Sequence, residues 1–149
     1  MTDSETVWVD VWDKVFSVTK EVTGLGVANV LQGIKYPPVP DFEDVLVMVS
    51  AGTSSIVVSD THGDYQLYSI PLLVFTKGDD MVVALKTCIG WVGKIKKKLL
   101  AHRTLDGLVS DIRFGQSRSN PPDVAGYERQ LVSFVVEARI WVDDPVSEE

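Results

Sequence analysis

The sequence predicts an α+β fold, in which a mixed, largely antiparallel sheet of about five strands is covered on one face by a long central helix. The first observation is the stretch Asp79 to Arg103, which is amphipathic with the period of an α-helix. The second is that apolar, β-rich runs lie before and after it. The apolar residues of the predicted helix are Met81, Leu85, Cys88/Ile89, Val92, Ile95 and Leu99. This stripe needs a flat apolar surface, and a sheet provides one.

The ends of this central helix carry the charges that a helix dipole favours. Asp79 is the predicted N-cap and Asp80 adds a second acid, whereas lysines and Arg103 crowd the last turns. Gly90 and Gly93 each cost about 1 kcal/mol inside a helix. Their presence predicts that another backbone approaches the helix closely at these positions.

A second helix is predicted near the start of the chain, from Glu5 to Thr23. Its valines form one stripe and its aromatic residues form another beside it, which is more apolar surface than one face needs. The valines are Val7, Val11, Val15, Val18 and Val22, and the aromatic residues are Trp8, Trp12 and Phe16. Either the helix is buried broadly, or the aromatic stripe contacts another subunit, because tryptophan is enriched in interface cores.

The region between the helices predicts three strands. Val27 to Ile34 is either a short turn or an extended edge, and the prolines of Tyr36 to Pro40 make a stiff connector. Asp44 to Ser50 and Ser54 to Ser59 are predicted to form a hairpin through Ala51-Gly52-Thr53. A third strand, from Tyr65 to Thr76, contains Pro71, which predicts a bulge or an edge position there.

Two strands are predicted after the central helix. The first is Leu108 to Phe114, and the second is Gln130 to Val142, where apolar residues alternate clearly from Val132 onward. That apolar set is predicted to face the central helix, while the mixed opposite set is only partly covered. Gly115 to Gly126 is predicted to be a long polar loop, either disordered or functional.

Composition narrows the class of protein. A length of 149 residues with 45% hydrophobic content predicts a single domain, residues 1–149. A net charge of −7 disfavours a sequence-independent nucleic-acid binder, which needs a basic surface. The single cysteine, Cys88, is interpreted as a buried apolar residue. No leader and no apolar run of about 20 residues is seen, so no membrane association is predicted.

One short motif has the chemistry of a metal site. Ile56 to Gly63 resembles the first metal-binding motif of calcineurin-like metallophosphoesterases, with Asp60 and His62 as ligands. The remaining ligands of that family are missing, and Asp60, His62, Gly63 and Asp64 are instead interpreted as polar residues of a turn between two strands. We therefore predict no catalytic residue, no metal, no cofactor and no enzymatic activity.

The order of elements resembles the tail terminator (minor tail, tail completion) proteins of long-tailed bacteriophages. The similarity covers the N-terminal helix, the Pro-rich stretch, the strand Tyr68–Thr76, the central helix, Leu105 to Val109 with Arg113-Phe114, and the strand Leu131–Val142. The motif from Asp60 to Gly63 and the long first helix depart from that family. The resemblance implies a hexameric ring in the virion that caps the head-proximal end of the tail tube and ends its polymerisation. It also implies the tail tube protein and the head-tail connector as partners, with DNA only in passage.

A ring subunit needs surfaces that contact its neighbours. We assign the subunit interface to exposed aromatic and basic residues: Trp8, Trp12, Lys96, Lys97, Lys98, Arg103, Arg118 and Trp141. The alternatives are a stand-alone α+β adaptor or ligand-binding domain and a metal-dependent phosphoesterase. A monomer would bury or replace the tryptophans.

Overall fold

A computed structural model describes residues 4–25, 29–33, 45–60, 63–77, 80–120 and 129–143. The predicted Pro-rich connector therefore lies outside the described residues. Within these described residues the elements are two helices and seven strands: α1 (Ser4–Lys20), β1 (Val30–Gln32), β2 (Val45–Val49), β3 (Thr53–Asp60), β4 (Gly63–Lys77), α2 (Met81–Leu100), β5 (Asp111–Phe114), β6 (Arg118–Asn120) and β7 (Arg129–Asp143). The predicted α+β class, with an N-terminal helix and a mixed sheet, is confirmed.

The sheet is built on β4 and β7, which are antiparallel over 15 residues each. On the other side of β4, β3 pairs with its first half and β2 with its second half. On the edge of β7 that faces away from β4, β6 pairs with the first half of β7 and β5 pairs with its second half. The short β1 adds parallel to β2, so the extended edge that we weighed for Val27 to Ile34 is present at Val30–Gln32.

The predicted hairpin of Asp44 to Ser50 with Ser54 to Ser59 is wrong, because the corresponding strands β2 and β3 each pair with β4 and not with each other. They follow one another along the same side of β4, and their partner positions change between Ser69 and Leu72. The Ser50 N–H donates to the Pro71 carbonyl (2.9 Å) at this junction. Since the N–H and C=O of a residue in an antiparallel strand point to the same side, the N–H that proline lacks would face the junction. Pro71 thus marks a change of partner, and the bulge lies in β3, between Ile56 and Val58.

One face of the sheet carries the main core, which both helices cover. The predicted valine stripe of α1 is buried, and so are Val132, Phe134, Val136 and Ala138 of the predicted apolar set of β7, while Ile140 is partly buried. Helix α2 contributes Cys88, Val92, Ile95 and Leu99 to the same cluster.

Three details of the predicted central helix are wrong. Ile89 is 53% exposed instead of buried. The helix ends at Leu100 and not at Arg103, and turns follow from residue 101 onward. The N-cap is Asp80, whose carboxylate accepts from the Val82 and Val83 N–H groups.

The opposite face of the sheet is mixed, as the alternation in β7 predicted. A smaller cluster of Leu46, Met48 and Phe75 is buried there, and Leu31 and Leu73 pack against it. Along β7 the same face carries the half-exposed Val135, Glu137 and Arg139. Only part of this face is therefore buried by apolar side chains.

The predicted loop from Gly115 to Gly126 contains a strand. Arg118 to Asn120 pair with Leu131 to Ser133 of β7, and the Gly115 N–H donates to the Val135 carbonyl (2.8 Å). Three polar residues form a strand here because a long neighbour offers unpaired backbone groups.

Candidate interaction surfaces

No group of three or more metal-ligating side chains occurs in the part of the chain that the structure describes. Within β3, Asp60 is at the last position and pairs with Gly63, while Thr61 and His62 lie outside the described residues. The prediction that Asp60 and His62 hold no catalytic metal stays a prediction. Among the described helices, none is long and apolar enough to cross a membrane.

Cys88 has the environment of a structural residue. It is fully buried on α2, and its thiol donates to the Val74 carbonyl (2.9 Å). Burial raises the pKa of this thiol to about 11, because a thiolate loses its hydration there. The group is therefore protonated at neutral pH and is a poor nucleophile.

The two tryptophans of α1 are anchored within the chain. The Trp8 indole N–H donates to the Ala51 carbonyl (2.8 Å), and the Trp12 indole N–H donates to the Val49 carbonyl (2.9 Å). Both rings are partly buried and pack against the main core. These contacts fix α1 at the end of β2, while a part of each ring stays accessible to a neighbour.

The basic residues predicted to act together point to different places. Lys96 donates to the Ser117 hydroxyl (2.7 Å) and lies over the Phe114 ring (5.5 Å). Arg103 donates to the Asp111 carboxylate (2.6 Å), and this partner holds the pKa of Asp111 below its ordinary value. Both side chains have partners within the chain.

Lys97 and Lys98 instead line a groove between the C-terminal end of α1 and the second half of α2. We call this the basic groove; its volume is about 490 Å³, and its lining residues are Val22, Thr23, Lys94, Lys97, Lys98 and Ala101. The Lys94 ammonium lies 4.4 Å from the centre of the Trp91 ring. The groove joins an apolar floor to three ammonium groups, which suits an acidic partner with an apolar centre.

The far end of the sheet is a second exposed apolar surface. At about 3.3 Å per strand residue and 1.5 Å per helix residue, β4 extends about 50 Å and α2 only about 30 Å, so α2 cannot cover the whole sheet. We call the uncovered part, formed by β3, the start of β4 and the end of β7, the distal end. Ile56 (56%), Val57 (51%) and Trp141 (38%) are exposed there, and the Trp141 ring meets Tyr65 edge to face at 6.4 Å. Ile56 is opposite Gln66 and Trp141 is opposite Tyr65, so the distal end exposes large apolar side chains on both faces of the sheet.

Arg118 is the remaining residue of the predicted interface. It is exposed on β6, opposite Ser133 of β7, and so lies at the sheet edge on the other side from β3. The structure brings Lys97 and Lys98 into one groove and leaves Trp141, Arg118 and the α1 tryptophans on separate surfaces.

Two features of these surfaces could not be predicted from the sequence. The sequence places Ile56 and Val57 in a strand but does not give their exposure, which the length of β4 relative to α2 explains. Val22 and Lys97 are far apart in sequence, so the groove depends on the packing of α1 against α2.

The fold and these surfaces define a class, a long mixed sheet with two helices on one face and apolar groups exposed at its distal end. No protein-family profile matches the sequence, and no curated protein matches it. The structure is similar to a chain in the solved virion of a native gene transfer agent (GTA) particle, with a TM-score of 0.53 and 12% sequence identity. The similarity covers 89% of this chain and 95% of that chain, so the two share essentially their whole fold.

Proposed function

We propose that this chain is a structural virion protein, a tail terminator that forms a ring on the head-proximal end of a phage tail tube. The observation that carries the proposal is the similarity to a chain of a GTA virion over 89% of the length. The element order, which resembles tail terminators, supports the same function independently. In this role the chain has no enzymatic activity, and it ends tube polymerisation and offers a surface to the head-tail connector.

The exposed surfaces support a subunit in contact with other proteins. The distal end leaves Ile56, Val57 and Trp141 without cover in the described residues, and a partner would remove this apolar area from water. The net charge of −7 suits a ring through which DNA passes without binding to the wall.

The first experiment places the protein in the particle. Deleting its gene in the producing phage should leave heads and tails unjoined, with tails of irregular length, when particles are viewed by electron microscopy. Immunogold against the chain should label the head-tail junction of wild-type particles. Normal joined particles without the protein, or label at the tail tip, would contradict the proposal.

The second experiment measures the oligomer. Light scattering should give a mass near six times 16.4 kDa, either alone or after addition of tail tubes. The alternative, a stand-alone adaptor whose basic groove binds an acidic ligand, predicts 16.4 kDa in both conditions.

The distal end provides a variant that separates folding from assembly. Trp141→Ser should lower the melting temperature modestly, because the side chain is 38% exposed and its ring also contacts Tyr65, but it should clearly weaken association with the ring or the tube. Ile89→Ser is the control, since Ile89 is similarly exposed (53%) on α2. Equal effects of the two variants would show that the distal end is not a specific contact.

A further inference from the structure

The basic groove holds positive charge that no acid in the described residues neutralises. Lys94, Lys97 and Lys98 make no ion pair with the described acids, although Lys14 and Arg103 do. Lys94 and Lys97 are exposed, and Lys98 is half-buried beside the apolar Val22 and Ala101. Ammonium groups that converge on a partly apolar groove favour a partner that supplies carboxylates.

The outer surface of α1 has the complementary chemistry. Glu5, Val9 and Asp13 are four residues apart and so form one ridge along the helix, with Asp10 beside it. Val9 is 52% exposed, and the three acids are exposed around it. We call these four residues the acidic ridge.

The charges of the acidic ridge are also uncompensated. Within the described residues none of its acids forms an ion pair, and Asp13 accepts one hydrogen bond from the neutral Gln32 side chain (2.6 Å). One molecule therefore presents an acidic ridge with an apolar centre and a basic groove with an apolar floor. The ridge lies on the outer side of α1, and the groove lies at the end of α1 against α2, so one copy cannot fill its own groove with its own ridge.

We propose that the acidic ridge of one copy binds in the basic groove of a second copy. Val9 of the ridge packs on Val22 and Ala101 of the groove, in the way that helix ridges fit grooves. The carboxylates of Glu5, Asp10 and Asp13 then face the ammonium groups of the groove. This inference deepens the proposed function, since it rests on a ring and names the contact between its neighbours.

The contact uses two different surfaces, so after one contact forms, one copy keeps a free groove and the other copy keeps a free ridge. Such a heterologous contact continues from copy to copy and closes into a ring when the rotation permits. Apolar contact at Val9 removes water from the surrounding charges, which strengthens their attraction compared with open surface. Salt should weaken the contact, because the screening length falls from about 10 Å at 0.1 M to about 3 Å at 1 M.

Charge reversal tests this contact. Lys97→Glu/Lys98→Glu and Asp10→Lys/Asp13→Lys should each weaken self-association about 10-fold or more at low salt, measured by sedimentation velocity. The chain that carries both pairs of changes has the charges exchanged across the same contact, and it should regain most of the wild-type association. Asp10→Asn/Asp13→Asn guards against misfolding, because asparagine can keep the Gln32 contact, and it should weaken association in the same direction.

Lys86→Glu is the matched control. Lys86 is an exposed lysine on the same helix, about 16 Å from Lys97 by helix rise, and it does not line the groove. It should change association much less than Lys97→Glu. If Lys86→Glu and Lys97→Glu weaken association equally, or if the chain with both pairs of changes does not regain association, the specific contact is wrong. These results would not contradict a ring with another interface. If the wild type stays monomeric with and without tail tubes, both the proposed contact and the proposed ring are wrong.

Discussion

Asp106 is at the centre of a small charged cluster that ties the segment after α2 to α1. Leu105, Asp106 and Gly107 have positive φ values of 49°, 60° and 89°, so three consecutive residues are left-handed. Leu105 is buried in the core, and the Asp106 carboxylate contacts Lys14 and His102. Because left-handed leucine is unfavourable, the packing of Leu105 and these contacts must together hold the turn.

The charge of Asp106 gives a pH-dependent prediction. Lys14, and to a smaller extent His102, hold the pKa of this carboxyl below its ordinary value. A lowered pKa stabilises the folded state at pH values above the ordinary carboxyl pKa of about 4, and this stabilisation is lost as pH falls through the lower pKa of the folded protein. Asp106→Asn keeps a residue that tolerates positive φ but removes the charge.

Urea unfolding measures the effect. The wild type should be more stable than Asp106→Asn at about pH 6, and the difference should shrink at about pH 3, because the carboxyl of the unfolded chain is mostly protonated below its ordinary pKa of about 4. A difference that is the same at both pH values would mean that the carboxylate charge does not stabilise the turn.

The tryptophans of α1 carry a second prediction at the scale of single residues. Trp12→Phe keeps an aromatic ring on the core but removes the indole N–H that binds the Val49 carbonyl. We expect the free energy of unfolding to fall by about 1 kcal/mol, the usual net value of one hydrogen bond. Chemical denaturation measures this, and sedimentation measures association in parallel. Weaker association at unchanged stability would instead assign Trp12 to the interface rather than to the fold.

At the scale of elements, the sequence predicts what depends on local periodicity. The valine stripe of α1, the helical stripe of α2 and the alternation in β7 are visible because each repeats within a few residues. Strand partners are not visible in this way. The turn at Ala51 to Thr53 suits a hairpin, yet β4 is long enough to pair with β2 and β3 in succession, and this partner decides the arrangement.

For the candidate surfaces, too, the sequence predicts only the features that depend on neighbouring residues. The exposure of Trp141 follows from its place in the alternating strand, and the lysine run from Lys96 to Lys98 is plain in the sequence. That Lys96 turns towards Ser117 while Lys97 and Lys98 line the groove depends on how α2 is rotated on the sheet. Ala84 and Ile89 show this rotation, since Ala84 is buried and Ile89 is exposed.

Gly52, in the connection between β2 and β3, and Gly93, in α2, give opposite predictions. A Cβ on Gly52, where φ is +66°, would lie 1.7 Å from the Ser69 carbonyl oxygen, so the chain passes very close to β4 there. Gly52→Ala should lower the free energy of unfolding by about 2–4 kcal/mol. A Cβ on Gly93 of α2 would meet no described atom within 4 Å. The predicted close approach of a backbone at this glycine is therefore absent within the described chain.

Gly93→Ala is the control for Gly52→Ala. It should raise the stability of the isolated chain by about 0.5–1 kcal/mol, because alanine is the better helix former. Urea denaturation of both variants checks the pair. A loss of stability in Gly93→Ala would mean that a backbone in the same chain does approach α2.

For the whole molecule, the distribution of charge matters more than its sum. The chain carries 14 basic and 21 acidic residues, and three of the basic side chains, Lys14, Lys96 and Arg103, are engaged by Asp106, Ser117 and Asp111. The basic groove is the surface where lysines converge, and the acidic ridge presents carboxylates outward. This separation favours contacts between copies over contacts with a polyanion.

The last prediction concerns DNA, which the proposed ring must let pass. Sequence-independent binding requires several lysines or arginines that displace counterions from successive phosphates. The three lysines of the basic groove are too few and too close together to follow a duplex, and the net charge of −7 repels it. We expect no retention of duplex DNA in gel-shift assays at about 0.1 M salt and micromolar protein, where ordinary non-specific binders begin to bind. Asp10→Lys/Asp13→Lys adds positive charge at one surface and should show whether the acidic ridge contributes to this repulsion. Salt-sensitive binding by the wild type would contradict the proposed passive passage of DNA and would assign the basic groove to phosphates rather than to a neighbouring copy.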